Sequence, residues 1–260
     1  MIAARTAAEE LRVARLAGVP RAPFTDTDPA LDERWGYQVQ DEDRAQRLSQ
    51  GERVVGAKLG LTSRAKQVTM GVHQPIVGFL TDAMHLPNGH DTDLFSRTAQ
   101  PRIEPEIAFR LGGVVDRPLT VSAAADAIDG VAVAAEIIDS RYSGFGFRLP
   151  DVVADNTSAA AFVVGDWVDP SAAGDLAAVR CVFSADGRPV HTATGAAVLG
   201  HPLLALVQLS EHLAKRGERL PVGAIVLAGA LTDAVPIRPG VLYRAEIDRL
   251  GPVGFSVSTP

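Results

Sequence analysis

An α+β fold is predicted for this chain of 260 residues: an N-terminal helical region over residues 1–52, then a mixed, β-rich catalytic core over 53–260. Three observations lead there. Before residue 53 apolar side chains recur at helical spacing. From residue 53 short β-branched runs alternate with Gly, Pro, Asn and Asp. Those runs do not alternate regularly with helices, so a doubly wound parallel sheet is not expected.

Residues 4–17 and 29–50 read as helices, separated by Pro20 and Pro23. Asp28 is a plausible N-cap for the second, with Pro29 at its first position and Gly51 at its end. Trp35 and Val39, four apart, share one helical face. Strands are expected at 53–59, 76–81, 103–111, 130–138, 159–164, 179–184, 189–194, 224–228, 241–248 and 253–258. Asp186-Gly187 signals a hairpin, and Leu250-Gly251-Pro252 a turn between the last two strands. Helices are expected at about 120–128 and 202–216, the latter opened by His201-Pro202 and closed by Gly217.

The composition is that of a globular protein, 47% hydrophobic and 22% charged, and at this length about 70–75% of the unfolded surface is expected to be buried. With 25 Lys+Arg against 31 Asp+Glu the net charge is −6, which argues against nucleic acid as a partner. No apolar run is long enough to span a membrane. The amphipathic start carries Glu9 and Glu10 and does not resemble a transit peptide. The single Cys181 sits in the plain run Val179–Phe183 and reads as core; one cysteine and no signal peptide suggest a reducing, cytoplasmic setting.

Several chemistries lack their motifs. No G-x-G-x-x-G opens a helix after a strand, and Gly56-Ala57-Lys58-Leu59-Gly60 has the wrong spacing for a phosphate loop. No G-x-S-x-G occurs, and Ser63-Arg64-Ala65-Lys66 matches S-x-x-K without a companion K-T-G. His85 and His90 lie in a loop without a third ligand, so surface is the simpler reading, and His201 reads as a helix-entry residue.

Three acids remain. Glu104 and Glu106 are two apart on an expected strand and share a face, opposite Ile103, Ile107 and Phe109. The simpler reading is a solvated strand face; the sharper one is a pair of carboxylates separated by a cation. Glu136 follows the apolar run Val131–Ala135, where a carboxylate needs an ion pair, for instance with Arg141, or a metal. Grouped, the three form a hard-oxygen site suited to Mg²⁺ or Mn²⁺. Lys58, in the apolar run Val54–Leu61, either snorkels or sits by such a site and moves a proton. Asp139-Ser140-Arg141 and Asp155-Asn156-Thr157-Ser158 are polar islands, read either as turns or as buried loops lining a pocket.

These residues carry a resemblance. Gly56–Ser63, Gly71-Val72 with Pro75 and Gly78, Ile103–Ile107, Glu136–Arg141, Val153–Ser158, Gly195–Pro202 and Gly229–Pro236 together look like the hydratase/decarboxylase group of the fumarylacetoacetate hydrolase superfamily. The resemblance implies a divalent metal, Mg²⁺ or Mn²⁺, on Glu104, Glu106 and Glu136. It implies Lys58 and Asp82 as catalytic groups, and Leu59, Thr62 and Ser158 as substrate contacts, through the Leu59–Thr62 main chain and Ser158. It implies a homo-oligomer acting on a small 2-oxo dicarboxylate or dienoate of aromatic meta-cleavage catabolism, with a further pathway enzyme as a candidate partner.

Within the group, Asp139–Phe147 and Leu231–Pro236 are similar to the decarboxylases of 2-oxo-3-hexenedioate. Aromatic residues over Tyr142–Phe147 could desolvate a departing carboxylate. Ala230 and His73-Gln74 depart from that version, and Ala230 is similar to the 2-hydroxypenta-2,4-dienoate hydratases. Hydration, a related 2-oxo acid lyase of secondary metabolism, and a non-catalytic member are the alternatives.

Overall fold

The structure, a computed structural model, describes residues 2–258. Met1, Thr259 and Pro260, at the ends of the two predicted regions, lie outside the described residues. Helix α1 (Ala4–Ala17) buries Ala7, Ala8, Leu11 and Ala14 along one stripe and ends at Gly18, whose φ of 62° is left-handed. Helix α2 (Glu33–Ser49) turns Trp35 and Val39 toward it. Its cap is Asp32, which accepts from the Trp35 N–H at 2.8 Å, and not the expected Asp28. Leu31 is drawn into the cluster with Phe24 and Trp35, so the helix starts four residues later than predicted.

Strands follow at β1 (Val54–Gly60), β2 (Ile76–Thr81), β3 (His85–Leu86), β4 (Asp91–Thr92), β5 (Arg102–Leu111), β6 (Ile128–Ile138), β7 (Ala159–Val164), β8 (Arg180–Ala185), β9 (Arg188–Thr194), β10 (Ile225–Ala230), β11 (Val235–Pro236), β12 (Leu242–Ile247) and β13 (Gly251–Val257). Five further helices are α3 (Arg64–Met70), α4 (Val121–Asp126), α5 (Leu149–Ala154), α6 (Pro170–Ala173) and α7 (Leu203–Arg216). Asp186-Gly187 forms the expected hairpin turn with both φ positive. The last turn falls at 248–250, so Gly251 and Pro252 already belong to β13.

Two mixed sheets result. The larger runs β2-β1-β10-β5-β6-β7-β3, with β11 on β5; the smaller runs β4-β13-β12-β8-β9. Alternation divides the central pair β5 and β6 into two faces. Ile103, Ile107, Phe109, Val133 and Ile137 face the smaller sheet and α7, joining Tyr243, Phe255, Leu206 and Leu209 in the main core. Each fully buried large side chain there contributes about 1.5–3 kcal/mol.

The opposite face is the one that positions the site. It carries Glu104, Glu106, Ala108, Ala132, Ala134 and Glu136, with Glu104 paired to Glu136 and Glu106 to Ala134 in register. The larger sheet curls over this face, so that Phe79 and Leu80 of β2 meet Phe162 and Val164 of β7 in one cluster. The small alanines leave room for that closure. Asn156 fastens the seam: Phe79 N–H donates to its Oδ1 at 2.9 Å and its Nδ2 donates to Phe79 O at 3.0 Å. The side-chain amide thus replaces a strand partner. Among the described residues no helix is long and apolar enough to cross a membrane.

Candidate active site

The curled face brings four charged side chains together. Glu104, Glu106 and Glu136 each offer an oxygen within 4.8 Å of the other two. Lys58 comes from β1, across β10 from β5. Its Nζ lies 2.9 Å from Glu136 Oε2 as an ion pair and donates to the Thr157 carbonyl at 3.1 Å. Glu106 and Glu136 are fully buried, and Glu104 and Lys58 nearly so. The solvated-face reading of Glu104 and Glu106 is therefore replaced by an enclosed one. Glu136 pairs with Lys58, not with Arg141, whose guanidinium is committed to Asp155.

Glu106 Oε2 accepts the Gly229 N–H at 2.7 Å. Gly229 has φ 112°, and a Cβ there would lie 2.2 Å from Thr62 Oγ1, so only glycine lets this N–H reach the carboxylate with Thr62 packed behind it. Glu106 Oε1 and Glu136 Oε1 are buried without a hydrogen-bond partner, and Glu136 Oε2 meets the Lys58 ammonium. Burial, then the Glu136 charge, holds the Glu106 carboxyl well above the usual carboxylate range. Burial pushes Glu136 up to about 7, with Lys58 opposing and Glu104 adding to the rise. Clustered, desolvated carboxylate oxygens with free lone pairs fit a hard dication. Mg²⁺ and Mn²⁺ suit such an all-oxygen donor set.

The Thr157 carbonyl that holds Lys58 sits in a left-handed turn. Asn156, Thr157 and Ser158 have φ of 47°, 52° and 61° in succession. That conformation costs roughly 1–2 kcal/mol per non-glycine residue. The seam bonds of Asn156 and the contact of Ser158, whose N–H donates to Asp155 O at 2.9 Å and whose carbonyl accepts from Asp139 N–H at 2.8 Å, hold it in place. The polar islands are thus buried loops, not solvated turns.

Among the other expected site residues, Thr62 lies against Gly229 and its carbonyl accepts from Leu199 N–H. Leu59 turns its side chain into the main core, opposite Lys58, leaving only its main chain near the site. Asp82 is not brought to the cluster. It follows the last residue of β2, four residues beyond the Gly78 that pairs with Lys58, or about 13 Å along the chain direction of the strand. There it accepts from Arg53 N–H and Nε, both at 2.9 Å, at the surface. Tyr142 packs with Phe24 and Trp35 in the helical layer, and Phe145 lies under the Arg102 guanidinium.

Lys66 entered the sequence reading only through the S-x-x-K match and was not expected at the acid cluster. Its Nζ donates to Glu104 Oε1 at 3.2 Å from the short helix α3, which Ser63 caps through the Lys66 N–H and Gly71 closes in a left-handed turn. Cys181 is buried and its thiol pushed up to about 12 by burial, and His201 accepts from Leu203 N–H at the start of α7.

Comparison with known proteins identifies the family and the fold. Residues 53–258 match the family model described as fumarylacetoacetate (FAA) hydrolase C-terminal. A 4-oxalocrotonate decarboxylase of Pseudomonas sp. is 43% identical over 96% of each chain. A 2-keto-4-pentenoate hydratase of Paraburkholderia xenovorans (strain LB400) is 37% identical over 95% of this chain and 92% of the relative. Among solved structures, the 4-oxalocrotonate decarboxylase from Pseudomonas putida G7, complexed with magnesium and adipate, superposes with a TM-score of 0.94 at 36% identity, covering 98% of this chain and 97% of that one. The chain belongs to the fumarylacetoacetate hydrolase family.

Proposed function

We propose that this protein is a metal-dependent lyase that decarboxylates 2-oxo-3-hexenedioate (4-oxalocrotonate) to 2-hydroxypenta-2,4-dienoate. The observation that carries the reading is the buried Glu104–Glu106–Glu136 cluster with Lys58 ion-paired to it. It occurs in a chain 43% and 42% identical to two 4-oxalocrotonate decarboxylases. Glu104, Glu106 and Glu136 would hold Mg²⁺ or Mn²⁺, which when bound supplies Lewis acidity toward the oxygens of the 2-oxo acid.

The chain's own residues do the rest. In the reaction the C5–C6 bond breaks and C6 leaves as CO₂. The electron pair forms the C4–C5 double bond, the C3–C4 double bond shifts to C2–C3, and the C2 oxygen gains negative charge and then a proton. Lys58 is the cation placed for that oxygen: the Thr157 carbonyl and Glu136 fix its ammonium at the cluster, where it stabilises the charge and can donate the proton. The left-handed turn supplies rigidity, since Ser158 and Asn156 lock the carbonyl that orients Lys58. Enclosure by Phe79 and Phe162 keeps the effective dielectric low.

The hydratase reading draws support from relatives at 37–39% identity named as 2-keto-4-pentenoate hydratases. A paired assay separates the two. CO₂ release from 2-oxo-3-hexenedioate is expected to exceed hydration of 2-hydroxypenta-2,4-dienoate by the same preparation; the reverse order makes the protein a hydratase.

A further inference from the structure

We infer that Lys66 binds the second, distal carboxylate of the substrate and so makes the site selective for 2-oxo dicarboxylates over monocarboxylates. This rests on the proposed substrate. The two lysines flank the acid cluster on different sides: Lys58 is enclosed beside Glu136, whereas Lys66 stands beside Glu104 with its side chain 38% exposed. The exposed side of Lys66 opens into a pocket of about 310 Å³ lined also by Ser63, His191, Thr192, Leu231 and Asp233. That volume is at the small end of the range for ligand pockets, suited to a short-chain metabolite.

The pocket begins where the cluster ends. Ala230, on its wall, pairs with Glu106 in the β5–β10 ladder, and the Leu231 N–H donates to the carbonyl of Pro105, between Glu104 and Glu106. Ala230 and Leu231 therefore lead from the strand that carries Glu104 and Glu106 to the pocket at Lys66.

Charge gives the direction its meaning. Lys66 is surrounded by acids, Glu104 first and then Asp233 and Glu106. Once a dication neutralises Glu104 and Glu106, the ammonium loses its present counter-charge, and only Asp233 on the pocket wall remains. A ligand carboxylate is the complementary group, and a monocarboxylate leaves the ammonium with Asp233 alone. One charge-assisted contact of this kind is expected to give about 10-fold or more in affinity.

Calorimetric titration of the Mg²⁺-loaded protein with two unreactive six-carbon probes, adipate and hexanoate, tests the assignment without turnover. Wild type is expected to bind adipate at least about 10-fold more tightly than hexanoate. Lys66→Gln is expected to bring the two within about twofold, and Lys66→Arg to restore most of the preference. Mg²⁺ titration of each variant, with its melting temperature, verifies that the cluster and the fold persist. An adipate preference missing from wild type, or unchanged in Lys66→Gln, overturns the assignment. An intact, Lys66-dependent preference in a protein that releases no CO₂ upholds the assignment while removing the decarboxylase reading.

Discussion

Replacing Glu106 by glutamine should make the metal-free protein more stable and nearly inactive. Glu106 is fully buried, its Oε1 has no partner, and burial together with the Glu136 charge holds its carboxyl well above 4.5. At pH 7 the unfolded chain carries this group ionised. Keeping it neutral in the fold costs stability, because burial and the Glu136 charge oppose its ionisation. Glutamine has the same shape and no such cost. Its carbonyl can still accept the Gly229 N–H, and its amide NH₂ can donate to the neighbouring carboxylates. Glu106→Gln in EDTA is therefore expected to melt higher than wild type, by ~2–4 °C for each kcal/mol relieved at this size. The Mg²⁺-induced rise in melting temperature should vanish. Activity should fall at least about 100-fold, since partners that merely orient a metal ligand already cost 10–100-fold. Paired thermal melts with EDTA and with Mg²⁺ give the answer. A destabilised Glu106→Gln that keeps its Mg²⁺ response would refute the reasoning.

Three further outcomes follow from the same geometry. Lys58→Met is expected to lower kcat by about 10²–10⁴, the range for a lost proton donor, with Mg²⁺ binding retained by calorimetry; loss of Mg²⁺ binding in parallel would reduce Lys58 to a structural counter-ion. Asn156→Ala removes both bonds to Phe79, strands two buried peptide groups and leaves alanine at φ 47°; destabilisation of about 2–5 kcal/mol is expected in urea titrations, and a change below 0.5 kcal/mol would mean the seam closes without it. The third concerns pH. Glu136 is raised from 4.5 to about 7, so between those values the metal-free fold holds more protons than the unfolded chain, and its stability falls as pH rises through the window. A dication competes with those protons, so Mg²⁺-induced stabilisation should grow from pH 5 to pH 7.5, and a pH-independent Mg²⁺ shift would contradict the assignment of Glu136 as a ligand.

Much of the framework was legible because local chemistry decides it. Helix α1 ends at Gly18 and α7 at Gly217, both left-handed caps, and the Asp186-Gly187 hairpin needs nothing beyond its two residues. What alternation cannot reveal is whether a polar face looks outward or into a curl. Glu104 and Glu106 have the spacing of a solvated strand edge, and only the pairing of their strand with Ala132 and Ala134, under Phe79 and Phe162, encloses them. The alanines were a usable signal: small side chains on the face that carries the acids leave space for the sheet to close. Lys66 stayed hidden because seven residues of α3 are too few for a periodic pattern. Asp82 was assigned by resemblance alone, and the register of β1 with β2 carries it away to Arg53. Asp28 and Asp32 are both plausible caps; burial of Leu31 between them selects the second.

The most direct test of the central claim is CO₂ release from 2-oxo-3-hexenedioate by protein stripped with EDTA, before and after Mg²⁺ or Mn²⁺ is returned. The arrangement of Glu104, Glu106 and Glu136 predicts no release before addition and recovery after it, with no recovery in Glu106→Gln. Full activity in the stripped wild type would contradict the account.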